Sequence, residues 1–357
     1  MMKRIFLTII IHTFLLQSCS EQTKKIDLQN KTSESEIEKI NTVTSNTFNI
    51  SPFTNGNDQI NQVVRVVFQD SKGHIWFGTE NGAFKLKDNL LTHIESIRSE
   101  LGKDVTIKDI TEDKDGTIWL GHTDGITSVA GEKVTNYYES DGLINNDVWC
   151  ITADTEGNIW IGTIAGVCVF DKKNFVNFEL PEGIRDTTVG VSSTKMVHNI
   201  LEDTKGNLWI TSNAGLFSYS NNKLTHVSKE LGINTNFVNM LFEDRTGGLW
   251  ISSKGGLYYL KDHVAKNIIN KNIEIGKGIG SIAEDKDGTI WFVVNQHFLY
   301  TYNGKDLTEF QKSEENKGPV VFQIYKDQDQ RLWFVGFGGA YRLENGKFLN
   351  ITKNGPW

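Results

Sequence analysis

The sequence predicts an all-β fold: a seven-bladed β-propeller of four-stranded antiparallel blades, placed after an N-terminal signal and a flexible tether. Three observations carry that prediction. An aspartate stands six residues before a tryptophan seven times, as Asp70/Trp76, Asp113/Trp119, Asp154/Trp160, Asp203/Trp209, Asp244/Trp250, Asp285/Trp291 and Asp327/Trp333. Successive tryptophans lie 43, 41, 49, 41, 41 and 42 residues apart, and a self-similar period near forty marks small sheets repeated around an axis. The strands around each pair are apolar on both faces, as in Val66-Val67-Phe68 and Ile75-Trp76-Phe77. Strands read this way when neighbours cover both of their faces.

The first element is a targeting segment, residues 1–18. Lys3-Arg4 precede an apolar run from Ile5 to Leu16, too short to span a bilayer as a helix and suited to the h-region of a signal peptide. Leu16-Gln17-Ser18-Cys19 resembles a bacterial lipoprotein box, which implies that Cys19 is lipidated and becomes the first mature residue. Ser20 then matches the outer-membrane sorting choice, on the periplasmic or cell-surface side. Residues 19–45 follow as the lipidated cysteine and a tether rich in Ser, Thr, Lys, Glu, Asn and Gln, with no aromatic residue. Such a segment buries too little apolar surface to fold.

Residues 46–357 hold the propeller. Blade 2 shows the unit: a strand from Ile107 to Glu112, a hairpin at Asp113-Lys114-Asp115-Gly116, a strand from Thr117 to Gly121, a turn with Gly125, a strand over 126–130 and a fourth from Val134 to Tyr138. Glycine three residues before the tryptophan supplies the positive φ of a tight hairpin in six blades, and Gln330 replaces it in blade 7. The aspartate can accept hydrogen bonds from turn amides. The tryptophans are expected to pack blade against blade. The Asp-Lys-Asp-Gly turns start like a calcium loop but lack the rest of its ligand spacing, so plain hairpins are expected and no metal. The fourth-strand pattern has an extra copy, Thr47-Phe48-Asn49-Ile50 against Phe348-Leu349-Asn350-Ile351. One of the two should complete the last blade and remove an exposed edge.

Composition narrows the function. The net charge is −7, and removal of residues 1–18 takes away Lys3 and Arg4 and no acid. A net-acidic chain without a basic run is a poor nucleic-acid binder. Beyond Cys19 only Cys150 and Cys168 remain. They fall on the first and third strands of one blade, too far apart for a disulfide, and are expected as buried thiols.

The unit Glu112-Asp113-Lys114-Asp115-Gly116-Thr117-Ile118-Trp119-Leu120-Gly121 recurs as Asp154-Thr155-Glu156-Gly157-Asn158-Ile159-Trp160-Ile161-Gly162-Thr163, and the linker Asp141-Gly142-Leu143-Ile144-Asn145-Asn146-Asp147-Val148 accompanies it. This pattern resembles the two-component regulator propeller repeat over about residues 46–357. The resemblance implies extracytoplasmic ligand sensing, often of carbohydrate, in Bacteroidetes-type bacteria, by propellers set in front of a membrane span and a histidine kinase. This chain shows a single ring with no kinase of its own, so binding is the property the resemblance carries over.

Three departures from the repeat mark candidate site residues on the face shared by the strand 4-to-1 and strand 2-to-3 connections. Eleven residues before each tryptophan the chain reads Arg65, Lys108, Trp149, His198, Asn239, Gly280 and Phe322, between slots that are always aliphatic. Blade packing should select similar residues; a ring at the mouth of the central channel need not. Cations, an amide and aromatics suit a sugar or an anionic organic ligand, although a water-filled channel with drifting residues fits the slot as well. Six residues after each tryptophan stands Gly, except His297 in blade 6, which marks a ligand contact or an altered turn. The long 49-residue spacing adds about eight residues between Phe178 and Met196, a connection carrying Arg185 and Asp186. The preferred reading is a non-catalytic binding module for a small molecule or glycan, serving a membrane sensor kinase or uptake complex and held to the membrane by its lipid, with no cofactor. Two alternatives stand beside it. One is a metal-assisted lyase resembling streptogramin lyase, recruiting His198 with Glu80, or His122. The other is a protein-interaction scaffold.

Overall fold

The computed structural model describes residues 50–52, 59–185, 187, 192–233, 235–269, 273, 278–312, 318–353 and 355. The signal, Cys19, the tether and Asp186 lie outside these residues. The described strands form seven antiparallel sheets, one per Asp–Trp unit. Blades 1–7 span 64–94, 107–137, 148–178, 197–226, 238–267, 279–310 and 320–350, each ordered from inner to outer strand as the chain runs. In blade 2 the strands are Ile107–Glu112, Ile118–His122, Gly125–Ala130 and Lys133–Tyr137, within a residue of the pattern read from the sequence.

The Asp–Trp pair is a clasp. In all seven blades the aspartate Oδ2 accepts the indole Nε1–H across the hairpin, at 2.8–3.0 Å. Its Oδ1 accepts turn amides, such as Thr117 N–H at 3.0 Å. The indole then faces the next blade: Trp119 meets Phe170 of blade 3, Trp160 meets Tyr219 of blade 4 and Trp291 meets Phe334 of blade 7. The apolar residues fall into seven clusters, and each draws on two neighbouring blades. The core therefore sits at the seams between blades.

The glutamate before the aspartate does separate work. Glu112 accepts the backbone and hydroxyl hydrogens of Ser71 from blade 1, Glu202 those of Thr155 from blade 3, and Glu243 those of Thr204 from blade 4. The Glu-Asp dipeptide thus ties one turn internally and the preceding blade's turn laterally.

Closure follows the same plan. The C-terminal copy, Lys347–Asn350, is the outer strand of blade 7, whereas Ile50–Pro52 pairs with Leu90–Ile94 as a fifth strand of blade 1. Bridges Gln59–Lys353 and Val63–Phe337 join the ends, and the Trp333 ring packs on Phe77 at 5.7 Å between centroids. Gln330 keeps the left-handed turn conformation that glycine adopts in the other blades, at φ 64°. Cys150 and Cys168 are buried free thiols. Among the described residues no helix is long and apolar enough to cross a membrane.

Candidate functional site: the axial cavity

Each inner strand carries a β-bulge between the two aliphatic positions, shown by register breaks such as Val64/Val66, Ile107/Asp109 and Val197/Asn199. The bulged residue is the irregular slot. A bulge leaves one residue unpaired and re-aims its side chain, and on the innermost strand of a propeller the open direction is the axis. Six of the seven slot residues, Arg65, Lys108, Trp149, His198, Gly280 and Phe322, line one cavity of about 560 Å³ to which every blade contributes. Asn239 is not in the lining; Met240 represents blade 5. Thr106, Thr123, Asp147 and Gln296 complete the rim, so the cavity opens on the face of the strand 4-to-1 and 2-to-3 connections.

The lining is lopsided. Blades 7, 1, 2 and 3 carry two cation–aromatic pairs. Arg65 of blade 1 lies over the Phe322 ring of blade 7 at 4.6 Å, and its Nη2 donates to Glu80 Oε1 at 2.7 Å. Lys108 of blade 2 lies over the Trp149 ring of blade 3 at 3.9 Å and pairs with Asp147, which also accepts the Trp149 Nε1–H. Burial lowers the Lys108 pKa more than Asp147 restores it. The Arg65 Nε–H is buried with no acceptor. Blades 4 and 6 present His198 and Gly280, with no Lys, Arg, Asp or Glu in the slot on that side of the mouth.

A second ring lies deeper. The next slot reads Val66, Asp109, Cys150, Asn199, Met240, Ser281 and Gln323, and all seven line the cavity. Its polar members serve a need created by the topology: the innermost strand is a sheet edge whose axis-facing N–H groups have no strand to pair with. Asp109 accepts Ile151 N–H (2.9 Å), Asn199 accepts Leu241 N–H (3.2 Å), Ser281 accepts Ile324 N–H (3.0 Å) and Gln323 accepts Val67 N–H (2.7 Å), each from the following blade. Val66 cannot do this for blade 2, and there the second oxygen of Asp109 takes the Ile110 N–H instead (2.9 Å). Burial pushes the Asp109 carboxyl up to about 7 despite these two donors. Sequence reasoning missed this ring, although its irregularity between aliphatic neighbours is as plain as that of the first.

The other candidates lie elsewhere. His122 is fully buried in the strand 2-to-3 turn of blade 2, outside the cavity lining. In other blades that position is Thr79, Thr163, Ser212 or Ser253, whose hydroxyl accepts an N–H two residues on. His122 Nδ1 does the same for Asp124 N–H at 3.2 Å, and Nε2 faces Thr127 Oγ1 at 3.1 Å. Burial, assisted by the Lys108 charge, lowers its pKa to about 3, so it is a neutral turn clamp. Arg185 is exposed on the long connection and His297 on its turn, and neither lines the cavity. The blade 6 turn is altered: Asn295 and Gln296 take positive φ and His297 donates its N–H to Val294. Among the described residues no three His, Cys, Asp or Glu side chains are grouped to hold a metal.

Residues 58–81, 101–124, 142–165 and 232–255 match the model of the two component regulator propeller family. Each match runs from the connection entering a blade, through the bulged strand and the clasp, to the turn after the second strand. Among solved structures, the extracellular domain of the hybrid two component system BT3049 from B. thetaiotaomicron is 20% identical with a TM-score of 0.59, over 79% of this chain and 40% of that one. The chain thus spans well under half of that domain. Streptogramin B lyase is 16% identical (TM-score 0.61; 82% of this chain, 96% of that one). Virginiamycin B lyase from Staphylococcus aureus is 13% identical (TM-score 0.62; 82% and 97%). At these identities the likeness is one of fold. Comparison with the curated proteins finds no match. The chain has seven blades built on one Asp–Trp clasp, and four of them are matched by the repeat of the two component regulator propeller family.

Proposed function

We propose that this propeller is a lipid-anchored, extracytoplasmic ligand-binding module of a sensing or uptake system, and that it takes a carbohydrate or another small polar molecule into the axial cavity. The observation that carries the reading is the convergence of six unlike slot residues on one cavity, in a molecule whose flanking aliphatic and clasp positions repeat nearly uniformly. Paired charges beside aromatic faces, with an open wall of His198 and Gly280 opposite, suit a polyol that needs both hydrogen bonds and an apolar surface. The sensor and lyase structures support only the disc.

The test is a thermal-shift and glycan-array screen of residues 46–357. The double variant Arg65→Ala/Trp149→Ala should lose binding of any hit with little change in melting temperature. Gly280→Phe should do the same by filling the mouth, because a Cβ at Gly280 meets only Val293 Cγ1, at an ordinary 3.6 Å. Unchanged affinity in both variants removes the cavity as the site. Labelling with an alkyne fatty acid, lost in Cys19→Ser, tests the anchor separately.

A further inference from the structure

The long connection between Phe178 and Met196 reaches the cavity through one side chain. Asn213, fully buried at the strand 2-to-3 turn of blade 4, is held from several directions. Its Nδ2 donates both hydrogens to the connection, to Ser192 Oγ at 2.9 Å and to the Ser193 carbonyl at 2.6 Å. Its carbonyl accepts Ile184 N–H at 3.1 Å, and its own N–H donates to the Met196 carbonyl at 3.1 Å. Gly183 passes so close that a Cβ there would collide with the Asn213 carbonyl. The remaining amide atom, Oδ1, stands 2.7 Å from His198 Nε2 in the cavity wall.

An amide has one acceptor end and one donor end. Because the connection consumes the donor end, the acceptor end must face His198, and the imidazole must bring a hydrogen to it. An amide not held in this way could present either end, and the histidine could then adopt either tautomer. Blade 1 pairs the same two positions, fifteen residues apart, as Arg65 with Glu80, and blade 7 as Phe322 with Phe337 at 4.8 Å between ring centroids. In blade 4 the pair is additionally wired to a connection longer than in any other repeat.

We propose that Asn213 is a positioning residue of the axial site: docked by the ends of the 178–196 connection, it fixes His198 as the Nε2–H tautomer and holds the ring against the cavity wall. This rests on the cavity being the ligand site, and it gives the connection control over which nitrogen a polar ligand meets.

The test needs no ligand. Long-range ¹H–¹⁵N spectra of residues 46–357 report histidine tautomers, and His198→Gln identifies the resonance. The wild type should show His198 as a single Nε2–H tautomer with a slowly exchanging ring proton. Gly183→Ala drives a Cβ into the Asn213 backbone carbonyl and so pushes the connection off it, while both side chains of the pair keep their chemistry. It should give mixed tautomers and ring-proton exchange about five- to tenfold faster, the factor for one lost hydrogen bond. Ser192→Ala, a milder change that keeps the fold, should move both readouts the same way. If His198 keeps one tautomer and its exchange rate in Ser192→Ala, and in Gly183→Ala where that variant folds, the proposal is wrong. A failed glycan screen leaves this measurement untouched, so the two readings fall separately.

Discussion

The seven clasp tryptophans at the blade seams and the seven bulged residues at the axis recur with one period and follow opposite rules. The seam positions face the same environment seven times: a carboxylate of the same turn on one edge and the apolar side of the next blade on the other. Identical surroundings select identical residues. Six of the axial positions share one space in which each residue meets different neighbours, so the symmetry of the backbone imposes no symmetry on the side chains. Repetition thus marks what holds the disc together, and its breakdown marks where the disc can act.

The largest expected effect separates two tryptophans. Trp333→Ala empties a fully buried seam between blade 7 and Phe77 of blade 1, the joint that closes the ring, and removes one of the two donors to Asp327 Oδ2. It should cost about 3–5 kcal/mol in denaturant unfolding. Trp149→Ala removes a half-buried ring held only by Lys108 and Asp147 at the cavity and should cost under about 1.5 kcal/mol. Equal losses would make the bulge slot a packing position and break the comparison.

The seams were legible because a tryptophan with an aspartate six residues before it is a local signal. The irregular slot was legible too, but its cause was not. A bulge is a fact of register between two strands, and only the pairing shows that Val64 and Val66 are neighbours across Arg65. The deeper ring went unread because its polar residues look like drift until their partners, the unpaired edge amides of the next blade, are seen. His122 misled for the converse reason. It stands where other blades carry a hydroxyl, and that alignment already pointed to a turn clamp.

His122 and Asp109 also make the site region and the seams respond differently to pH. His122 has its pKa depressed to about 3 in the fold against about 6.5 unfolded. Its contribution is complete above pH 6.5 and is lost as pH falls toward 3, at about 1.4 kcal/mol per pH unit. Asp109 has its pKa raised to about 7 against about 3.9 unfolded, so its contribution is complete below pH 3.9 and is lost as pH rises toward 7. Between pH 4 and 6.5 the two slopes oppose and the wild type should be nearly flat. His122→Thr, which restores the hydroxyl of the other blades, should leave the Asp109 slope uncovered, so that chemical denaturation finds the variant more stable at pH 4.5 than at 6.5. The clasp aspartates act below that window. Burial works to raise Asp70, Asp113, Asp203 and Asp244, but the indole and turn hydrogen bonds hold them below their ordinary value, so the seams should fail only as pH falls below about 4.

Lateral ties between turns come next in size. Glu202 accepts two hydrogen bonds from Thr155 at the rim, and Glu202→Ala should cost about 1–2 kcal/mol. Blade 3 carries Ala153 at the position of Glu202. There the tie from blade 2 is made by Lys114 Nζ, which donates to the Glu156 carbonyl, so Ala153→Glu offers a way to strengthen that seam.

The smallest effect carries a positive sign. Gln330 is the one hairpin position at which the seam pattern lapses, yet its backbone keeps φ at 64° and its N–H still donates to the Asp327 carbonyl at 2.9 Å. The turn is therefore imposed by what surrounds it. Asp327 Oδ1 accepts the Arg331 N–H, and Oδ2 takes both the Arg331 Nε–H and the Trp333 indole. A non-glycine residue pays about 1 kcal/mol to stand in the left-handed region, and the Gln330 side chain recovers little, with a single long contact to the Gln328 carbonyl at 3.4 Å. Gln330→Gly should raise stability by up to about 1 kcal/mol, less the extra entropy glycine gains when unfolded, without altering ligand binding. A loss of stability would mean that the blade 7 turn relies on its side chain, and that the seam next to the ring closure is not equivalent to the other six.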